Sequence, residues 1–281
     1  MARRLGAPHT RALANHPSML AFHKAMDKLA YSRSHWEVFV DFLTLTTCCM
    51  LSDNTFEHPR EKQYREIAES YDGEARKHFS ELLAWAFDYM ADTNRECLSE
   101  LWEVYAANER LGQFFTPWCV CECMARISVG GVDWSRYSPE RKCWIGDCAC
   151  GGGRTLVAAA KQIPATEIGN VAFHGIDVDP NVCMVAALNL LFFNLNGVIV
   201  NGNALTLEGC RVYGVRHSIL GATIEESTDP AVVKRWITFG LPRDLSEPAP
   251  EEPAHPAPPA PATPRPALIE VPEGAQMMFD F

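Results

Sequence analysis

Residues 142–203 alternate strand-length and helix-length segments around one glycine cluster, and nothing else in the chain constrains the fold as strongly. Lys142 to Gly146 reads as a short strand. Gly151-Gly152-Gly153 ends it, and an alanine-rich helix follows from Thr155 to Gln162. Val171 to Val178 reads as a second strand. Asp179-Pro180 then opens a second helix, with an N-cap and proline at the first helical position. Gly197 to Val200 is a third strand. Strand, helix, strand, helix, strand specifies parallel βαβ units with right-handed crossovers.

The flanks have a different character. From His16 to Ser128 the pattern is helical: Phe79, Leu82, Leu83, Ala86, Phe87 and Met90 fall on one helical stripe. Trp36 to Leu51 and Leu98 to Tyr105 read similarly, and Asp92 or Thr93 is placed to cap the latter helix. Ala204 to Gly240 is 37 residues. At ordinary element lengths these hold one strand and one helix, the helix running from Asp229-Pro230 to Trp236. The sheet is thus expected to stop at three or four strands. From Glu247 to Pro266 prolines are too frequent for helix or sheet, which predicts an extended linker. The resulting organisation is an α/β fold with a helical region at 1–128, a truncated Rossmann-like sheet at 129–240, a disordered Pro/Ala-rich linker at 241–267 and a terminal peptide at 268–281.

Charge limits the partners. The net charge is −10, while Met1 to Arg33 carries six basic residues and one acidic residue. A chain that grips nucleic acid with its whole surface is usually basic, so such contact is expected to be local or to come through a partner. No apolar run reaches membrane-spanning length and no secretory leader is visible, so a cytoplasmic protein is expected. The eleven cysteines lack zinc-site spacing and are expected as small packed residues, with no metal site and no disulfide framework.

Chemistry concentrates in Asp147-Cys148-Ala149-Cys150-Gly151-Gly152-Gly153. Glycines there let the backbone turn tightly and approach a ligand, and the helix that follows favours an anionic group. The dinucleotide fingerprint fails because its third glycine is Leu156, and no Gly-Lys pair supports a P-loop. The remaining pattern, D-x-x-x-G-x-G, is the usual loop of S-adenosylmethionine (SAM) methyltransferases. Asp177 ends the second strand, where a carboxylate can accept hydrogen bonds from a ribose. Asp179 is the weaker candidate, because a helix N-cap consumes it. Asn203, at the end of the third strand, either reaches an adenine edge or sits in a turn.

Upstream lies Leu111-Gly112-Gln113-Phe114-Phe115-Thr116-Pro117. Together with the glycine loop, His174-Gly175-Ile176-Asp177-Val178-Asp179 and Gly202-Asn203-Ala204-Leu205, it resembles the N6-adenine DNA methyltransferase family. That family includes the modification subunits of type I restriction systems and small phage- and plasmid-type relatives. The resemblance implies SAM as cofactor, held by Phe114, Phe115, Thr116, Pro117, Asp147, Cys150, Gly151, Gly153, Asp177 and Asn203. It also implies methyl transfer to adenine N6 in DNA. The family's adenine-gripping [ND]-P-P-[FYW] is absent, and the only Pro-Pro, Pro258-Pro259, lies in the linker. Tyr213 falls at a comparable distance along the chain but lacks the prolines and the amide. No catalytic residue is therefore assigned, and either a non-catalytic relative or an enzyme completed by a partner subunit is expected.

The terminal Gln276-Met277-Met278-Phe279-Asp280-Phe281 is similar to peptides that dock on bacterial sliding clamps. Gln276, Phe279 and Phe281 would be its anchors. The alternative is a tail folded onto its own core.

Overall fold

A computed structural model describes residues 13, 15–52, 59–106, 115–218 and 221–239. The expected linker and terminal peptide, with Gln276, Phe279 and Phe281, lie outside the described residues, as does Phe114.

Six helices precede the first strand among the described residues: α1 (Pro17–Leu29), α2 (His35–Cys49), α3 (Pro59–Glu69), α4 (Gly73–Thr93), α5 (Leu98–Tyr105) and α6 (Trp118–Val129). Local chemistry starts several of them. Ser34 and Glu37 form a reciprocal capping box on α2. Asp72 accepts hydrogen bonds from Glu74 and Ala75 to cap α4. The expected stripe on α4 is buried at Phe79, Leu82, Ala86 and Met90, whereas Phe87 is exposed and meets the Phe192 ring edge-on. Asp92 and Thr93 do not cap α5. They belong to the last turn of α4, which ends at Asn94 in left-handed conformation. The job passes to Glu96, whose Oε2 accepts from the Ser99 amide at 2.9 Å.

The sheet has five strands in the order β1 (Cys143–Asp147), β2 (Val171–Asp177), β3 (Gly197–Asn203), β4 (Glu208–Ser218) and β5 (Gly221–Ser227). The first three are parallel, joined through α7 (Arg154–Ala160) and α8 (Pro180–Phe192), and the last two are antiparallel. This corrects the expected three or four strands. The segment after Asn203 holds two strands as well as α9 (Pro230–Ile237). It fits because α9 is only 8 residues long. The class is α/β, as expected.

The two sheet faces differ. Phe173, Ile199, Tyr213, Val215 and Ile224 share one large core with Phe22, Phe42, Leu98 and Trp102 of the helical region. Each such fully buried apolar side chain contributes roughly 1.5–3 kcal/mol. On the other face Ile176, Val198, Val200 and Val212 form a small cluster with Val233 and Ile237 of α9, against which Ala204 and Trp236 also pack. The edges differ as well. Outside β5, the Ser52 amide donates to Ile224 O at 2.9 Å and the Ile224 amide to Met50 O at 2.8 Å. Outside β1 no strand pairs among the described residues, and β1 alternates half-buried with exposed positions while β2 is buried almost throughout.

Candidate cofactor site

The parallel strands end side by side, with Asp147 opposite Gly175 and Asp177 opposite Asn201. The glycine loop leaves β1 and is pinned to β2. The Cys150 amide donates to Ile176 O and the Gly151 amide to Asp177 Oδ2, both at 3.0 Å. Gly151 and Gly153 adopt φ of +53° and +78°, a conformation that costs other residues strain. Asp147 closes the loop from below, accepting from the Ala149 amide at 3.0 Å and from the Thr155 hydroxyl.

Phe115 packs on this loop. A β-carbon on Gly151 would sit 3.1 Å from Phe115 Cε1. Thr116 O accepts from Arg154 Nη1 at 3.0 Å, and Pro117 opens α6. Phe115, Thr116 and Pro117 are therefore held against the glycine loop although about 35 positions precede it.

The other expected residues take distinct roles. Asp177 Oδ1 accepts from the Asp179 amide at 3.0 Å, so each oxygen already holds one backbone bond. Burial raises the Asp177 pKa above the usual carboxylate value, and these amides oppose the shift. Asp179 caps α8 through the Asn181 and Val182 amides, as expected. Asn203 Oδ1 accepts from the Leu205 and Thr206 amides, which is the turn alternative. Its amide nitrogen stays at the strand end. Cys150 is buried, and desolvation pushes its thiol well above the ordinary value, so it acts as a neutral packing group.

Tyr213 is committed elsewhere, and so is Asn201, the amide on β3 opposite Asp177. Tyr213 is fully buried with its hydroxyl on Arg60 Nη2 at 3.1 Å. Asn201 donates to Asp177 O and Val178 O.

One group of site-building residues was not foreseen. Glu96, Ser99, Arg154 and Asn189 form a buried network under the loop. Glu96 Oε1 takes Arg154 Nε at 2.6 Å, and Asn189 Nδ2 donates to Glu96 Oε2 at 3.0 Å and Gly152 O at 2.8 Å. Asn189 was visible in the sequence as a polar interruption of an apolar helix; Glu96 and Arg154 carried no comparable signal. Glu100 lies beside them. Burial first, then the Glu96 charge, raises its pKa to about 7, while Arg154 pulls the other way.

Residues 92–216 match the family model for N-6 DNA methylases. Over these residues the chain is similar to the N6-adenine DNA methyltransferases. The type I restriction enzyme MpnII methylase subunit of Mycoplasma pneumoniae is 28% identical over 100 residues, covering 34% of this chain and 17% of that subunit. No solved structure matches the chain. The methyltransferase match includes the Phe115 segment, the glycine loop, Asp177 and Asn203, all of which the fold gathers at one end of the parallel strands. Among the described residues no helix is long and apolar enough to cross a membrane.

Proposed function

We propose that this chain binds SAM at the C-terminal ends of β1, β2 and β3, and that it serves methyl transfer to adenine N6 in DNA together with a partner subunit that holds the base. The observation that carries this reading is Phe115 lying on left-handed Gly151, whose amide is tied to Asp177. The donor set suits the cofactor. Gly151 leaves a ledge that a side chain would fill, and each Asp177 oxygen keeps a lone pair for a ribose hydroxyl. Asp147, Cys150 and Gly153 shape the loop, Asn203 offers its amide nitrogen to an adenine edge, and Thr116 and Pro117 flank the methionine end. When bound, SAM supplies an activated methyl group. This chain's residues bind and orient it, and they keep water from its methionine side.

The partner enters because the base-holding tetrapeptide is missing and Tyr213 and Asn201 are already engaged. The same absence favours a second reading, a non-catalytic SAM-binding relative that acts through a partner subunit. A sliding clamp engaged through Gln276, Phe279 and Phe281 would be such a partner, supported by the sequence pattern alone. Calorimetric titration with SAM tests the site. Binding is expected, weakened by Asp177→Ala by about 1–3 kcal/mol, the cost of losing a charge-assisted hydrogen bond. Affinity unchanged by this substitution overturns the assignment.

A further inference from the structure

Among the described residues, the sheet face that carries α9 is only partly covered. Towards the starts of β2 and β3, away from the glycine loop, a cavity of about 520 Å³ opens between Trp236 of α9 and the strands. Val198 and Gly214 form its floor. Trp144 and Trp236 line one side with ring centroids 5.6 Å apart, and Phe239 lies 4.6 Å from Trp144. Trp144 is 38% exposed and Phe239 36%, although burying such rings would be favourable. The His174 ring nitrogen Nε2 bonds Trp236 O at 2.9 Å and fixes the end of α9.

Cations border these rings. Lys142 and Arg216 line the cavity, and the Arg235 guanidinium lies 5.7 Å from the centroid of the Trp236 ring. The one acidic side chain that lines the cavity among the described residues, Glu225, reaches Arg216 at 3.1 Å in an exposed pair. Such pairs contribute little and can exchange partners readily. In a chain of net charge −10, this face gathers positive charge beside flat aromatic surface. That combination suits a ligand with planar rings and phosphates. The volume accommodates one nucleotide.

We propose that this cleft is a binding site for single-stranded nucleic acid, separate from the cofactor site. One base stacks on Trp144 and Trp236, and the adjoining phosphates engage Lys142 and Arg216. Stacking is indifferent to base identity, and the phosphate contacts are sensitive to salt. The site stands at the far end of the strands from Gly151, so it holds or fails without SAM.

Gly214 allows a clean test. A β-carbon there would meet nothing closer than Glu225 O at 3.8 Å, so a side chain can start from this position in ordinary contact, and Gly214→Val places its methyl groups at the floor of the cleft. Anisotropy with a short labelled oligothymidylate is measured on the full chain at low and high salt. We expect salt-dependent binding with quenching of tryptophan fluorescence. Gly214→Val and Trp144→Ala should each weaken it roughly tenfold or more, as loss of a stacking partner does. Glu225→Gln should tighten it by removing the competing carboxylate. SAM titrations run in parallel should be unchanged in all three variants, which separates this proposal from the cofactor reading. The proposal is overturned if the wild type does not bind the oligonucleotide, or if Gly214→Val leaves binding intact. It also fails if thymidine monophosphate competes as well as the strand, which would make this a free-nucleotide site. Self-association lost in Gly214→Val without an effect on the oligonucleotide would point instead to a protein interface, and would likewise overturn it.

Discussion

Arg154 and Glu96, 58 positions apart in sequence, meet at 2.6 Å with both side chains buried. Through this pair the helical region is fastened to the glycine loop, because Arg154 also holds Thr116 O and Glu96 also holds Asn189. Removing one partner strands the other charge in a low-dielectric interior. Arg154→Met should therefore lower unfolding free energy by about 3–5 kcal/mol. The double change Glu96→Leu with Arg154→Met should cost clearly less than the sum of the singles. Urea titrations of the three variants check this, and strictly additive losses would contradict the coupling.

Glu100 makes stability depend on pH. Its folded pKa of about 7 lies above the ordinary value of 4.5. The folded chain therefore binds the extra proton between those values, and stability falls as pH rises through them. The contribution is complete below about pH 4.5 and lost above about pH 7, a span of roughly 3 kcal/mol at 1.36 kcal/mol per unit. Urea midpoints measured from pH 5 to pH 8 should decline in the wild type and flatten in Glu100→Gln. Parallel declines in both proteins would show that another group is responsible.

Gly152 is fixed by close approach rather than by its dihedral angles. A β-carbon there would lie 2.2 Å from Ser99 Oγ and 2.9 Å from Val185 Cγ1. Both neighbours are buried, so Gly152→Ala should depress the melting temperature by several degrees, in keeping with about 1–3 kcal/mol of overpacking. Adding Ser99→Ala removes the closest atom and should restore part of the loss. Calorimetric melting curves of the single and double variants decide the matter.

The purified chain alone should transfer little or no labelled methyl to plain duplex DNA. Phe115 and Asp177 stand at the loop, but Tyr213 is enclosed with Arg60 and Asn201 with the backbone of Asp177. Robust transfer by the lone chain, followed by scintillation counting, would show that the base is held by residues other than these.

The parts of the fold written in neighbouring residues were legible. The caps of α8 and α9 need only Asp-Pro, and β1 to β3 follow from apolar runs bounded by glycine and asparagine. What failed was the stretch after Asn203. There, mean element lengths predict one strand, whereas β4 alone is 11 residues and β5 pairs directly back upon it. The Glu208–Ser218 strand carries Tyr213 and Val215 inward, but Gly214 stands between them and Arg211 and Arg216 lie to either side, so no clean alternation announces it. In the candidate site, the Phe115 segment and Asp177 were readable because their order repeats a known pattern. The network beneath them was not, since Glu96 and Asn189 find each other across 93 positions.

The pairing of residues 50–52 with β5 has a consequence for association. Fibrous growth by strand addition needs two free edges on each molecule, one to give and one to receive. Here one margin is stoppered by the chain itself, and only β1 faces outward unpaired among the described residues. Contacts made through the sheet margin would therefore terminate at a single pair of molecules instead of propagating into filaments.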